Sequence, residues 1–317
     1  MGKYILRRLL QAIPVIFFST FMVFMIIHLI PGDAAAVLAG PNATPEALAA
    51  IRQEMGLDQP LLVQYAVWVG HLVQGDLGKS TLSGQPIIKL LQARAPATIQ
   101  LTIAAMTISI LIAIPLGILS ATHVRGRLEW FISTIQSLWL AIPNFWAGIL
   151  AIILFSLILR WLPPGGRVAD GNNIGDSIKS LILPATTLGL ALSASLSRFV
   201  KFNLLEVFFD DFVRTARAKG LNENRVIYGH ALRNAMLPVI TILGVQFASL
   251  LGGTIIIESV FSWPGVGGLM LDGIANRDYA VVQGGLLLLV ILFIVINLLV
   301  DLTYAIIDPR IRLGDNR

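Results

Sequence analysis

The chain has 317 residues, 56% of them hydrophobic and only 13% charged, with a formal net charge of +5. Soluble domains carry about 25% charged residues, so this composition excludes the ordinary water-soluble classes. The lack of cysteine excludes disulfides, thiolate metal sites and cysteine nucleophiles, and basic residues at the ends of membrane helices account for the positive balance without nucleic acid.

Six apolar runs, at residues 9–30, 98–121, 130–159, 181–200, 237–257 and 281–307, can cross a hydrocarbon core of about 30 Å, which needs roughly 20 residues of helix. Lipid satisfies no backbone polar group, so each run is predicted helical. The expected fold class is an all-α membrane protein with six transmembrane helices. With both termini in the cytoplasm, 15 of the 23 Lys and Arg fall on the inner side, mostly in the short loops where charge bias sets orientation. Lys3, Arg7 and Arg8, the first apolar run and Ala34-Ala35-Ala36 resemble a secretory signal. That run is longer than the ~7–15 residues of a signal's apolar region, so a retained anchor is expected. The predicted division is 1–30 (cytoplasmic N-terminus and first helix), 31–97 (a small helical extracytoplasmic segment), 98–307 (transmembrane core with a cytoplasmic loop at 201–236) and 308–317 (cytoplasmic tail).

In the outer segment, Thr44 is a helix cap, Pro45 suits the first helical position and Gly56 a helix end. A second helix is predicted from about Pro60, with Leu61, Leu62, Tyr65, Trp68, Val69 and Leu72 on one face. It reads either as an interfacial helix with aromatics at headgroup level or as a platform for a solute-binding partner. Gly78-Lys79-Ser80-Thr81 looks like the end of a phosphate-binding loop, but Val73 stands where that motif requires glycine. No nucleotide site is expected on this chain.

Pro143-Asn144 interrupts the third run, where a bend could line a pathway or be an ordinary membrane-helix proline. Pro163-Pro164-Gly165-Gly166 and Asp170-Gly171-Asn172-Asn173 mark an outer loop. The fourth run carries Ser193, Ser195 and Ser197, and the fifth carries Gln246 and Ser249 three residues apart, hence on one face expected to point into the protein. Glu258 ends the fifth run, before the loop Phe261-Ser262-Trp263-Pro264-Gly265-Val266-Gly267. Asp301 lies in the last run and could pair with a loop arginine. Pro143, Asn144, Ser193, Gln246 and Ser249 are the candidate pathway residues.

The loop between the fourth and fifth runs is the most organised polar segment. Asp210 and Asp211 are candidate caps for a two-turn helix, Gly220 is placed to end it, and Asn222 caps a second helix that Pro238 is expected to stop. Val213, Ala216 and Ala218 are small enough for close approach. Basic helix–turn–helix segments also bind DNA, but this one is tethered at both ends to apolar runs.

Thr215-Ala216-Arg217-Ala218-Lys219-Gly220 followed by His230-Ala231-Leu232-Arg233 resembles the coupling loop of binding-protein-dependent ABC importer permeases. The family pattern is Glu-Ala-Ala, three residues, Gly, nine residues, Ile-x-Leu-Pro. Ala216, Gly220 and Leu232 match it, whereas Arg214, Thr215, His230 and Arg233 replace Glu, the first Ala, Ile and Pro. This variant, with Tyr4-Ile5-Leu6-Arg7-Arg8-Leu9-Leu10, Pro31-Gly32-Asp33, Met55-Gly56-Leu57-Asp58-Gln59-Pro60, Gly75-Asp76-Leu77-Gly78, Glu258-Ser259-Val260-Phe261-Ser262-Trp263-Pro264-Gly265 and Asp308-Pro309-Arg310, is similar to the B-type subunit of the dipeptide, oligopeptide and nickel branch. The resemblance implies a type I ABC importer permease fold in a bacterial or archaeal cytoplasmic membrane. It implies four kinds of partner: a second homologous permease, two cytoplasmic ATP-binding subunits that carry the ATP and Mg, an extracytoplasmic solute-binding protein, and the membrane. It assigns ATPase coupling to Arg214, Thr215, Ala216, Gly220, Asn222, Leu232 and Arg233. Small peptides are the expected cargo, with nickel chelates, glutathione or glycans as alternatives. The rival classes are an intramembrane enzyme and a passive channel. His28, His71, His123 and His230 form no zinc-type pair and no G-x-S-x-G occurs, and ATP dependence of flux separates importer from channel.

Overall fold

In the computed structural model the described residues are 2–29, 44–54, 56–168 and 174–307. Pro31-Gly32-Asp33, Ala34-Ala35-Ala36, Met55, the turn at 170–173 and Asp308-Pro309-Arg310 lie outside them, as do the side chains of Lys3, Arg7, Arg8, His28 and Asp301. Helix α1 (Gly2–Leu29) precedes α2 (Pro45–Glu54) and α3 (Leu61–Val73). Then come α4 (Ile87–Thr122), α5 (Arg127–Ala141) and α6 (Asn144–Ala151), the last continued by a π-helical stretch, Ile152–Ile158. Helix α7 (Ile174–Val207) leads to the short α8 (Asp211–Ala218). Helix α9 runs through Glu223–Val260 with a π-helical stretch at Val226–Ala231. Helices α10 (Val266–Ala275) and α11 (Tyr279–Ile307) complete the described chain. The all-α expectation holds, with one isolated β-bridge, Lys79 to Pro86, among the described residues.

Among the described residues, four helices are long and apolar enough to cross a membrane: α4, α7, α9 and the Tyr279–Val300 part of α11. The α5–α6 pair passes the same test together but is bent by 99°. Helix α1 contributes the shorter apolar stretch Leu10–Met25. Thus the third run is two helices that meet at a sharp break. Pro143 has no N–H to continue the ladder, and Ile142 before it takes the extended ψ of 123° that a following proline favours. Pro238 does the opposite of what its residue type suggests. Helix α9 passes through it to Val260, because unwinding an apolar helix would strand backbone groups that only the helix satisfies. Helix α4 also starts earlier than its apolar run, at Ile87, where Ile87 and Leu91 are buried against Val266, Met270 and Val281.

By packing, the chain divides into two units: Ala97–Pro264 with the end of the chain from Val295, and Gly2–Pro96 with Gly265–Ile294. In the first unit, two apolar cores lie along α4, α7 and α9. One gathers Ala97, Leu101, Leu188, Ile257, Phe261 and Trp263; the other gathers Ala113, Leu196, Val200, Leu204 and Val239 with residues of α8. Glycine sets how close α4 and α7 come. A Cβ at Gly117 would stand 2.6 Å from Val200 Cβ, and one at Gly189 would stand 2.8 Å from the Ala105 carbonyl. Small residues are the means by which helix backbones approach in membranes. In the second unit, Tyr65 of α3 packs on Phe17, Phe21 and Phe24 of α1.

Helix α2 begins and ends as its sequence indicates. Thr44 Oγ1 accepts from Ala47 N at 3.3 Å, and Gly56 takes a positive φ of 64°. The Gly78–Thr81 segment is a structural turn in the second unit. Ser80 Oγ donates to Asp278 Oδ2 at 2.5 Å, both residues are buried, and Lys79 bridges to Pro86. A carboxylate on the serine hydroxyl opposes phosphate binding there, consistent with the motif's missing glycine.

Candidate functional site

The cytoplasmic-loop candidate is built on the end of α7. Val207 ends that helix, and the Asp210 carbonyl accepts from Val213 N (3.1 Å) and Arg214 N (3.2 Å) to open α8. Asp210 occupies the cap position, but its side chain makes no cap bond, so the proposed Asp210 cap is backbone only. Asp211 is the first helical residue, where an acidic group suits the helix dipole.

One face of α8 is a packed underside. Val213 and Ala216 are buried in the core formed by Ile118 and Ala121 of α4, Leu196, Val200 and Leu204 of α7, and Val226, Ala231 and Ala235 of α9. The opposite face carries Asp211, Arg214, Thr215, Ala218 and Lys219 into the open. Arg214 reaches Asp211 at 3.7 Å, but both side chains are more than four-fifths exposed, so the pair contributes little.

Gly220 ends α8 with a positive φ of 76°. Its N–H donates to the Arg217 carbonyl at 2.9 Å, and Lys219 N donates to Thr215 O at 3.0 Å. A side chain at 220 would meet open space, yet the left-handed backbone costs an L-residue about 1–2 kcal/mol. Two residues on, the Asn222 side chain accepts from Asn224 N at 3.1 Å and opens α9, as its sequence position predicts.

A pair that sequence spacing does not reveal closes the turn. Arg217 donates to both Glu223 oxygens, Nη2 at 2.6 Å and Nε at 3.2 Å. The Glu223 hydrogen bonds hold the Arg217 guanidinium above its ordinary pKa range. Its carbon lies 5.7 Å from the Phe208 ring centroid, so the same side chain ties the end of α7 to α8 and α9. Six residues separate the pair across a turn, and no helical repeat connects them.

The π-helical stretch of α9 turns Val226, Ile227 and Ala231 into the core and leaves Tyr228 and His230 exposed. Leu232 is half-buried against the same core and Arg233 is exposed. The seven coupling candidates therefore sort into two roles. Ala216 and Leu232 belong to the underside, while Arg214, Thr215, Gly220, Asn222 and Arg233 stand on the open surface. The arrangement is a small rigid handle with a cationic outer face.

The pathway candidates do not share one surface. Pro143 and Asn144 are exposed at the α5–α6 break. Ser193 is buried and spends its hydroxyl on the Leu190 carbonyl at 2.7 Å. Gln246 is buried, with Oε1 lacking a hydrogen-bond partner among the described residues. Ser249 is exposed and donates to Val245 O at 3.1 Å. The expectation that Gln246 and Ser249 jointly face inward is corrected: a 300° turn between them is enough to put one inside and one outside at the edge of the packed face.

Two further polar anchors were not singled out as sites. Thr98 Oγ1 donates to the buried carboxylate of Glu258 at 2.6 Å, and Trp263 Nε1 donates to the Ala97 carbonyl at 2.8 Å. They make the Glu258–Gly265 motif a structural clasp on α4. Its signal was the unusual run of glutamate, aromatic and proline residues, but the partners are over 150 positions away.

Packed membrane-length helices carrying an organised polar loop define a multi-pass membrane protein. Comparison places it further. Residues 113–313 match the family model described as "Binding-protein-dependent transport system inner membrane component", and residues 1–102 match that family's N-terminal model. The chain belongs to this family of ABC importer permeases and is a transport subunit, not an enzyme. It is 41% identical to the "Oligopeptide transport system permease protein AppB" of Bacillus subtilis, over 98% of this chain and 99% of that protein. It is 39% identical to the "Probable peptide ABC transporter permease protein y4tP" of Sinorhizobium fredii, over 98% and 100%. It is 41% identical to the "Glutathione transport system permease protein GsiC" of Escherichia coli, over 98% and 99%. Among solved structures, the inward-facing MetNI methionine ABC transporter aligns with TM-score 0.60 at 19% identity, over 71% of this chain and 99% of that one. An amino acid ABC transporter aligns with TM-score 0.52 at 14% identity, over 68% and 94%. The importer permease fold expected from the sequence is thereby established.

Proposed function

We propose that this chain is one of two non-identical permease subunits of an ATP-driven importer of small peptides, and that the α8–α9 handle receives the motion of cytoplasmic ATPases. The observation that carries the reading is the handle's two-sided build. Its underside is locked into a core shared with α4, α7 and α9, so a push on the outer face moves three long helices together. Arg214, Thr215, Gly220, Asn222 and Arg233 form the contact face, with Ala216 and Leu232 as its footing.

In this reading both termini and residues 201–236 are cytoplasmic, six helices cross the membrane, and ATP and Mg belong to the two partner ATPases. A second homologous permease completes the pathway, and an extracytoplasmic binding protein delivers solute. Pro143, Asn144, Ser193, Gln246 and Ser249 are the pathway candidates. Gln246 is the best supported, because a buried amide oxygen without a partner among the described residues is costly unless a neighbouring subunit, water or solute satisfies it.

The names of two relatives favour peptides, and the equally similar glutathione permease supports a second reading in which the cargo is that modified tripeptide. Nickel chelates and glycans are the remaining alternatives. The permease passes what the binding protein presents, so the copurifying binding protein and its retained ligand identify the cargo.

Because the chain lacks cysteine, a single Arg214→Cys or Asn222→Cys permits a clean test. Each should cross-link to an ATPase subunit in the reconstituted importer. Failure at both, or labelling of either from outside in intact cells, overturns the reading.

A further inference from the structure

Helix α3 belongs by sequence to the outer aqueous segment, yet its partners lie elsewhere. Tyr65 OH shares a hydrogen bond of 2.9 Å with Thr20 Oγ1 and reaches the Phe17 carbonyl at 3.4 Å. Thr20 is the midpoint of the apolar run at residues 9–30. Phe24 adds ring contacts to Tyr65 and Trp68, with centroids 5.4 and 5.9 Å apart. Thr20, Val23 and Phe24 are all buried. If α1 spans the bilayer, these contacts hold α3 at the depth of its middle and not at its outer end.

The composition of α3 agrees. None of the 13 residues Leu61–Val73 is Asp, Glu, Lys or Arg, and charge resumes only at Asp58 on one side and Asp76 on the other. Two of its polar side chains are satisfied inside the unit. Gln64 Nε2 donates to the carbonyls of Gln59 (2.8 Å) and Leu57 (3.3 Å), and Tyr65 is spent on Thr20. The helix end closes on itself through Gln74 N and Asp76 N to His71 O and Gly75 N to Leu72 O. The bare residues of α3 are mostly apolar: Leu62 is 73%, Val67 51% and Val73 82% exposed, with the His71 imidazole the exposed polar group in the last turn. On α1, Phe18 and Met22 are exposed too.

A helix free of Asp, Glu, Lys and Arg, with its central polar side chains satisfied and its contacts at mid-span, meets what hydrocarbon demands of a segment. A protein docking from water meets polar rims instead. We propose that α3 is a membrane-embedded helix whose Leu62–Val67–Val73 face lies against lipid acyl chains. It is neither an outer platform for the binding protein nor a helix resting at the headgroups. The proposal rests on α1 being a span.

The test is site-directed spin labelling in the cysteine-free chain. Single cysteines replace Leu62, Val67 and Val73, with Phe18 on α1 as the lipid reference and Ser83 in the outer turn as the water reference. The complete importer is reconstituted in nanodiscs, with and without its binding protein, and collision rates with oxygen and a polar nickel chelate are measured. The expected oxygen-to-nickel ratios at the three α3 sites equal that at Phe18 and exceed that at Ser83 several-fold, whether or not binding protein is present. Ratios like that at Ser83, with Phe18 still lipid-like, overturn the embedding of α3 alone. Exclusion of both reagents, or protection only when binding protein is added, replaces lipid with a protein partner and also overturns it. A water-like Phe18 removes the span on which the proposal stands. Three label sites guard against one that perturbs packing.

Discussion

Two short polar turns of this molecule contain Gly and Lys side by side, and they are opposites. In the turn at Gly78–Gly84, Ser80 and Leu82 N both bond to the buried Asp278 carboxylate, while Lys79 stands exposed beside them. In the turn at Lys219–Gly220, the apolar residues are consumed and, among the described residues, no buried carboxylate fastens the turn. Val213 and Ala216 are buried, whereas Arg214, Lys219 and Arg233 are exposed. A polar motif can act on a partner only with groups its own fold has not used. The first turn is a fastening and the second a handle.

Four substitutions press on that contrast. The largest effect is expected at the handle's footing. Val213→Asp puts a carboxylate into a fully enclosed apolar site, costing more than about 3 kcal/mol. Limited proteolysis should cut within residues 211–236, and uptake should vanish with it.

Gly220→Trp comes next and should act differently. The space around position 220 is open, so the protein should insert and assemble its helices, but the indole would stand on the contact face and uptake should be abolished. Gly220→Ala separates the causes. It imposes only the backbone strain of about 1–2 kcal/mol and should retain much of the transport. Normal uptake in the Trp variant would falsify the assigned role.

At the first turn, Asp278→Ala should leave ATPase cross-linking and ATP-coupled uptake per folded complex intact. It removes the acceptor of the buried Ser80 O–H, which keeps only the bond it accepts from Ser83 N, and should cost about 1–3 kcal/mol, read as a lowered Tm of the purified complex. Loss of coupling at unchanged Tm would erase the distinction between fastening and handle.

The smallest effect is expected from Arg217→Gln. The Arg217–Glu223 pair is roughly half exposed, so its net worth is about 0.5 kcal/mol or less. The readout is the ratio of transport to ATP hydrolysis, because the side chain joins α7, α8 and α9 at the turn. A large drop in Tm would instead make the pair a major strut of the loop.

Much of this was legible along the chain. Apolar runs located α4, α7, α9 and α11, since hydrocarbon permits a lone segment little besides helix. Local chemistry placed the Thr44 and Asn222 caps and the glycines at 56 and 220. What was not legible depended on partners distant in sequence. The three prolines at 143, 184 and 238 make the point: the first breaks its helix, while the other two sit inside α7 and α9. Residue type is the same in each, and the packing around it differs. Gln246 and Ser249, likewise, share a helical stripe in the sequence and part company at the edge of the packed face.

The sequence alone determined that this chain lives in a membrane, that it is helical, and where its one well-built polar loop falls, because those follow from hydropathy, backbone hydrogen bonding and turn stereochemistry acting over a few residues. Only the tertiary structure decided which polar groups are spent and which are free. Burial of Val213, the Asp278 fastening, the Glu258 clasp and the seat of Tyr65 on Thr20 are each made by side chains about 15 to 200 residues apart. No local rule reaches that far; the folded packing alone brings them within bonding distance.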